Sequence, residues 1–127
     1  MEHRHQILIE TVKRLIRRDA RHNIAKVLSK SHPADVAYLF RELEIRDQHI
    51  LFNLIEDTET SAIVISELDP EVGAELLAEL DKEEITEVLE EMAYDDAADV
   101  IQNLPEELAG EILQEMEEED SQEIEQL

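Results

Sequence analysis

Through the second half of this chain the apolar residues come in pairs set twelve residues apart: Val64/Ile65, Leu76/Leu77, Val88/Leu89, Val100/Ile101 and Ile112/Leu113. A unit of the same length runs around each pair. The units open on Asp57, Asp69, Asp81, Ala93 and Pro105 and close on Leu68, Leu80, Met92, Leu104 and Met116, so the pair always takes the eighth and ninth places. A fixed short period marks a repeat protein, in which one unit is too small to bury its own apolar face and stacks on its neighbours instead.

The period demands short helices. At about 100° per residue, twelve residues advance a helix by about 1200°, overshooting three full turns by about 120°. An unbroken helix would carry its apolar stripe a third of the way round at each unit and form no single buried face, so the chain breaks and restarts. The residues at the breaks agree. Asp57, Asp69 and Asp81 are N-cap types, Pro70 suits a first helical position, and Glu84 stands three after Asp81 as in a capping box. Each unit is then a helix of roughly eight or nine residues, about 12 to 14 Å long, which only stacking can hold.

The template extends upstream with small slips. Residues 32–43 fit it, with Pro33 early, Leu39/Phe40 as the pair and Leu43 closing; residues 44–55 follow with Leu51/Phe52 and Ile55, and Glu56 is inserted before the strict register begins. Downstream, residues 117–127 begin another unit that keeps Ile124 but places Glu125 where the second apolar residue belongs. A chain that stops inside its pattern reads as a fragment of something longer. Ahead of the repeats, Leu8, Val12, Leu15 and Ile16 share one face of an amphipathic helix whose other faces carry Lys13, Arg14, Arg17 and Arg18, with Arg21 just beyond. Such a helix either meets an anionic membrane surface or acidic partner, or packs at one end of the stack. A second short helix is expected over residues 24–28. The organisation is thus one all-α domain, with two N-terminal helices in residues 1–31 and the acidic repeats in 32–127.

Composition narrows the function. The 127 residues are 43% apolar, enough for a stacked core, and only 3% aromatic, so Leu, Ile, Val and Ala do the packing. Absence of cysteine excludes disulfides, thiolate zinc sites and cysteine nucleophiles, while leaving the compartment open. No run of 18 apolar residues occurs and residues 1–10 lack a signal-peptide core, so the piece is expected to be soluble. Charge is polarised: residues 1–30 carry eight Lys/Arg against three Asp/Glu, and residues 31–127 carry three against thirty-one. An acidic body of this kind repels phosphate backbones, which argues against nucleic-acid binding and for cations as partners.

The search for catalytic chemistry fails. Gly73 and Gly110 both fall inside helical units, where they are expected to permit close helix approach rather than to cradle phosphate. The serines lack a nucleophile-elbow context, and His3 and His5, two apart on a helix, are expected on the solvated surface. One carboxylate cluster stands out. Asp95, Asp96 and Asp99 open the fourth strict unit, and Asp95 and Asp99, four apart, project from one helix face with Cβ atoms about 5–6 Å apart. Two hard oxygen ligands so placed suit Mg2+, which keeps several waters. The competing structural reading has Asp95 capping the helix, Asp96 favouring its dipole and Asp99 solvated. Glu106, Glu107, Glu111, Glu115 and Glu117 to Glu119 read as a solvated face.

The segment His32-Pro33-Ala34-Asp35-Val36-Ala37, the later Asp69-Pro70-Glu71-Val72, and above all Asp95-Asp96-Ala97-Ala98-Asp99 followed by Leu104-Pro105-Glu106-Glu107 resemble the N-terminal cytosolic domain of MgtE-family magnesium transporters. The resemblance runs from about Leu8 to the C-terminus. It implies a right-handed superhelix of short helices, an α-solenoid, joined in the parent protein to a pair of CBS domains, a connecting helix and a dimeric transmembrane pore on whose cytoplasmic side it works. It further implies a regulator: Mg2+ between the acidic surfaces of this domain and the CBS domains draws the assembly into a compact state that closes the pore. Asp95 and Asp99 fall on the family's metal-contacting aspartates, with Asp96 beside them, whereas Ile63 stands where a family member offers an acidic ligand. A different class remains open: a helical-repeat interaction scaffold, similar to flagellar motor-switch stacks or to a soluble CBS-linked regulator, which needs an assembly partner and no metal. An enzyme is the least favoured class.

Overall fold

The computed structural model describes residues 2–116 and 118–127, with the side chains of Glu2, Glu118 and Glu119 outside the description. Among the described residues every regular element is a helix: α1 (Glu2–Arg17), α2 (Arg21–Lys30), α3 (Pro33–Arg41), α4 (Ile45–Phe52), α5 (Thr58–Glu67), α6 (Pro70–Leu77), α7 (Lys82–Glu90), α8 (Tyr94–Ile101), α9 (Glu106–Glu115) and α10 (Glu118–Glu125). The all-α expectation holds. No helix among the described residues is long and apolar enough to cross a membrane.

The predicted breaks are helix starts. Asp69, Asp81, Ala93 and Pro105 are the N-cap residues of α6, α7, α8 and α9. Asp57 caps α5, its Oδ2 accepting from the Thr60 amide at 3.0 Å and from the Thr60 hydroxyl at 2.7 Å. Asp81 Oδ1 accepts from the Glu84 amide at 2.9 Å; separately, the Glu84 carboxyl sits above its ordinary range, chiefly through a side-chain hydrogen bond with the Asp81 carboxyl. Extended backbone at the caps (ψ 137 at Asp69, 164 at Asp81, 146 at Ala93) turns the chain into each new helix.

Two compact halves form, residues 1–64 and 65–127. In the first, α1 packs on α2 and α3, burying Val12, Ile24, Leu28, Val36 and Leu39. Leu8, Leu15 and Ile16 of the expected apolar face are half-buried, and the N-terminal helix packs on its neighbours as one of the two readings required. Phe40 and Phe52 meet edge to face at 6.5 Å. The turn after α1 is a Schellman closure: Asp19 adopts φ 53, its amide donates to Ile16 O at 3.0 Å, and the Ala20 amide donates to Leu15 O at 3.0 Å. Aspartate tolerates this left-handed position better than most side chains, so no glycine is required.

The histidine expectation is half right. His3 is exposed, but His5 is not solvated: its ring stacks on Tyr38 at 4.2 Å and its Nε2 lies 2.9 Å from Asp35 Oδ1. A histidine one turn in from the start of α1 reaches the first turn of α3, which no spacing within α1 reveals. His32 also has a local role, its Nδ1 accepting from the Ala34 amide at 3.1 Å to cap α3 while Pro33 fills the first helical position. Together His5 and, less directly, Arg4 hold the Asp35 carboxyl below its ordinary value of 3.8, against the opposing effect of burial. The unfolded chain therefore binds this proton more readily, and the clasp stabilises the fold above that value and fades as pH falls below it. Asp35→Asn is expected to cost about 1–2 kcal/mol at neutral pH and almost nothing near about pH 2; urea denaturation at both values checks it.

In the second half each helix packs on the next but one: α6 on α8, α7 on α9, α8 on α10, with α9 also meeting α10. The pairs at places eight and nine are buried throughout from Val64/Ile65 to Val100/Ile101, and Ile112 is buried while Leu113 is half-buried. A second buried pair sits at places five and six: Ser61/Ala62, Gly73/Ala74, Ile85/Thr86 and Ala97/Ala98. Three to four residues apart, the two pairs make one inward face. Close approach is real at Gly73, where an added Cβ would stand 3.1 Å from Ile65 Cγ2. It fails at Gly110, which has nothing within 4 Å of an added Cβ. The reading of Gly110 as a close-packing residue is therefore corrected: it lies on open surface.

Candidate metal centre

Helix α8 is positioned from both ends. Ala93 starts it without a side-chain cap, and Ala97, Ala98, Val100 and Ile101 bury its inner face. This rotation sends Asp95 and Asp99 outward and leaves Asp96 at the edge of the packed face, half-buried. Asp95 does not cap the helix; it stands in the first turn, where its Oδ1 accepts from the Asp96 amide at 3.0 Å. The capping reading of Asp95 is thus replaced by a first-turn carboxylate favoured by the helix dipole. Asp99 is exposed, and its carbonyl accepts from Asn103 Nδ2 at 2.9 Å.

Asp96 and Asp99, three apart, line one narrow crevice of about 20 Å³ with Ser66, Leu68, Pro70 and Met92. Its space approximates one water molecule. Burial raises the Asp96 carboxyl above its ordinary range, and the negative charges of Asp95, Asp99 and Glu67 push it in the same direction. Glu67 lies on α5, outside the aspartate cluster that the spacing singles out. A signal for it exists, because place eleven of the repeat carries Glu67, Glu79, Glu91 and Glu115 in four of the five strict units.

Like charge that strains a carboxylate is relieved by a hard cation, and an all-oxygen donor set of this kind suits Mg2+. Among the described residues, however, no group of three or more acidic or histidine side chains converges closely enough to hold a metal. Asp96 and Asp99 could offer a hard cation carboxylate oxygens from this crevice, with Asp95 outside its lining.

The rest of the half is equally acidic. Residues 65–127 hold 24 Asp/Glu and one Lys, whereas residues 1–64 balance ten Lys/Arg against ten Asp/Glu, so the second half alone carries the net charge of −23. That single cation is engaged: Lys82 pairs with Glu111, and the bond raises the lysine above its ordinary range. Glu111 is therefore not part of a purely solvated face, while Glu106, Glu107 and Glu115 are exposed as expected. The expectation for Glu117 to Glu119 falls outside the described side chains. The Tyr94 hydroxyl, at the start of α8, donates to Asp120 Oδ1 at 2.7 Å and ties α8 to α10.

Two solved structures share this fold. The crystal structure of the soluble part of a magnesium transporter matches at TM-score 0.68 and 16% identity, over 96% of this chain and 48% of its own. The crystal structure of the cytosolic domain of the Mg2+ channel MgtE in complex with ATP matches at TM-score 0.73 and 26% identity, over 92% of this chain and 48% of its own. The chain thus spans about half the length of each. No curated protein sequence matches it. The family described as MgtE intracellular N domain matches residues 31–127, which include every repeat and all three aspartates of α8. With most of its length accounted for in this way, and with a fold shared with two magnesium-transport proteins, the chain belongs to the MgtE intracellular N domain family.

Proposed function

We propose that this chain is the Mg2+-sensing gating domain of a magnesium transporter, working at the cytoplasmic face of the membrane and contributing Asp95, Asp96 and Asp99 to a divalent-cation site. The observation that carries the proposal is the crevice at α8, where a half-buried carboxylate is crowded by three others. The site is completed by CBS domains of the same polypeptide, and the assembly acts as a homodimer on the transmembrane domain. The physics is simple. Two anionic surfaces separate unless cations bridge them, so Mg2+ shifts the balance toward the compact, closed arrangement by binding it better than the open one. The metal supplies charge neutralisation and oxygen coordination; the chain supplies a rigid helix that sets its carboxylates at fixed spacing.

The test is a Mg2+ titration of the full cytosolic part of the parent protein, followed by small-angle scattering. Asp96→Asn/Asp99→Asn is expected to move the compaction midpoint about tenfold or more to higher Mg2+, the change that about 1.4 kcal/mol of lost binding produces. Identical midpoints in wild type and variant would remove α8 from the site.

A further inference from the structure

Packing uses only the inner faces of α1 and α2. Arg14, Lys26 and Lys30 each stand two places after a buried apolar residue, Val12, Ile24 and Leu28 in turn, and so about 200° round the helix from it. Arg18 continues the line of Arg14 by one turn, its amide donating to Arg14 O at 3.2 Å. Ile7 lies on that line as well, two turns before Arg14, and is 52% exposed. These cations are exposed, and together with Lys13 and Arg17 they make no ion pair among the described residues, in a chain that holds 34 Asp/Glu. The family match starts at residue 31 and leaves this surface outside it.

We propose that the outward faces of α1 and α2 dock on an anionic lipid bilayer, with Ile7 at the boundary between headgroups and acyl chains and Arg14, Arg18, Lys26 and Lys30 against the anionic headgroups. Near such a surface each Lys or Arg strengthens binding about fivefold. An apolar side chain in line with cations is what a lipid interface takes; pairing with an acidic protein segment would engage the cations and leave Ile7 without a role. The net charge of −23 does not prevent the contact. At about 0.15 M ionic strength charges act over about 8 Å, so the face that touches the bilayer decides the sign and carboxylates farther off are screened. The docking rests on the reading of the chain as part of a magnesium transporter only for the nearness of a bilayer.

The test is sedimentation of the whole chain with vesicles at about 0.15 M ionic strength, in chelator and without Mg2+. Divalent bridging between lipid and carboxylates is then absent, and failure here leaves the metal reading standing. Saturable binding is expected to vesicles of mixed phosphatidylserine and phosphatidylcholine, and none to phosphatidylcholine alone. Arg14→Gln/Arg18→Gln/Lys26→Gln/Lys30→Gln is expected to lose at least about a hundredfold in affinity while its circular dichroism stays helical, because the four side chains are exposed and unpaired among the described residues. Ile7→Ser, a single exposed change that spares the core, is expected to weaken binding severalfold. No preference for the anionic vesicles would overturn the proposal, as would wild-type affinity in the four-residue variant. Polyglutamate bound as tightly as the vesicles, with Ile7→Ser indifferent in both, would give the face to an acidic protein and likewise overturn it.

Discussion

Leu76→Ala is expected to lower the unfolding free energy by about 2–5 kcal/mol, a large part of the roughly 5–15 kcal/mol that a domain of this kind possesses. Leu76 is completely buried at place eight of its unit, on the face that α6 turns toward α8. Truncation removes apolar burial and leaves a cavity that rigid neighbouring helices cannot fill. Because stacked repeats interact chiefly with their neighbours, hydrogen exchange is expected to accelerate most in α6 and α8 and least in α1 and α2. Glu75→Ala, exposed on the same helix, is the control and should stay within about 0.5 kcal/mol of wild type. Urea denaturation followed by circular dichroism measures both, and a loss below about 1 kcal/mol for Leu76→Ala would mean that place eight is not the core of the stack.

The second large effect is that of divalent cations on folding. At about ten times its dissociation constant, Mg2+ adds about 1.4 kcal/mol of stability by binding the folded chain alone, a rise of about 5 °C in melting temperature. NaCl at equal ionic strength is expected to give a smaller rise, since it screens without coordinating. Asp95→Asn/Asp96→Asn/Asp99→Asn is expected to melt higher than wild type without divalent ions and to gain less from Mg2+. The sign follows from Asp96, whose carboxyl is held above its ordinary 3.8 in the folded state by burial and by its neighbours. The folded chain then binds this proton more tightly than the unfolded chain does. Stability is therefore greatest at low pH as far as this group is concerned, and falls as pH rises through the raised value. Neutralising Asp96 removes that loss at neutral pH. Differential scanning calorimetry distinguishes the two salts, and equal rises in both would reduce the effect to screening.

The repeat was fully legible in the sequence because its period is a property of one helix at a time. Twelve residues cannot keep a continuous apolar stripe, so breaks at Asp57, Asp69, Asp81, Ala93 and Pro105 followed from geometry, and all five are helix starts. What lay beyond reach were relations between helices. The small residues at places five and six, Ala74 and Ala98 among them, look like weak core formers until the next helix but one is seen to pack there. Gly110 has the same place in its unit and no neighbour, so identical sequence logic gave the wrong outcome. His5 and Asp35 lie 30 residues apart and Lys82 and Glu111 lie 29 apart; neither separation is a multiple of the period. Spacing placed Asp95 and Asp99 on one face of α8, and both are exposed; that Asp96 shares a crevice with Asp99 depends on how the helix rotates against its neighbours, which spacing does not carry.

The division of charge between the halves bears on how cooperatively the chain melts. Lowering ionic strength from about 0.15 M to about 0.01 M lengthens the screening distance from about 8 Å to about 30 Å. Carboxylates on successive helices of residues 65–127 then repel one another across several repeats, while the balanced first half has no comparable net repulsion. Dilution of salt is thus a selective denaturant, loosening one end of a single polypeptide and sparing the other. The border between the charge-balanced and the acidic residues falls at Val64 and Ile65, inside α5, so the last turn of this one helix, with Glu67, belongs to the stretch expected to loosen first.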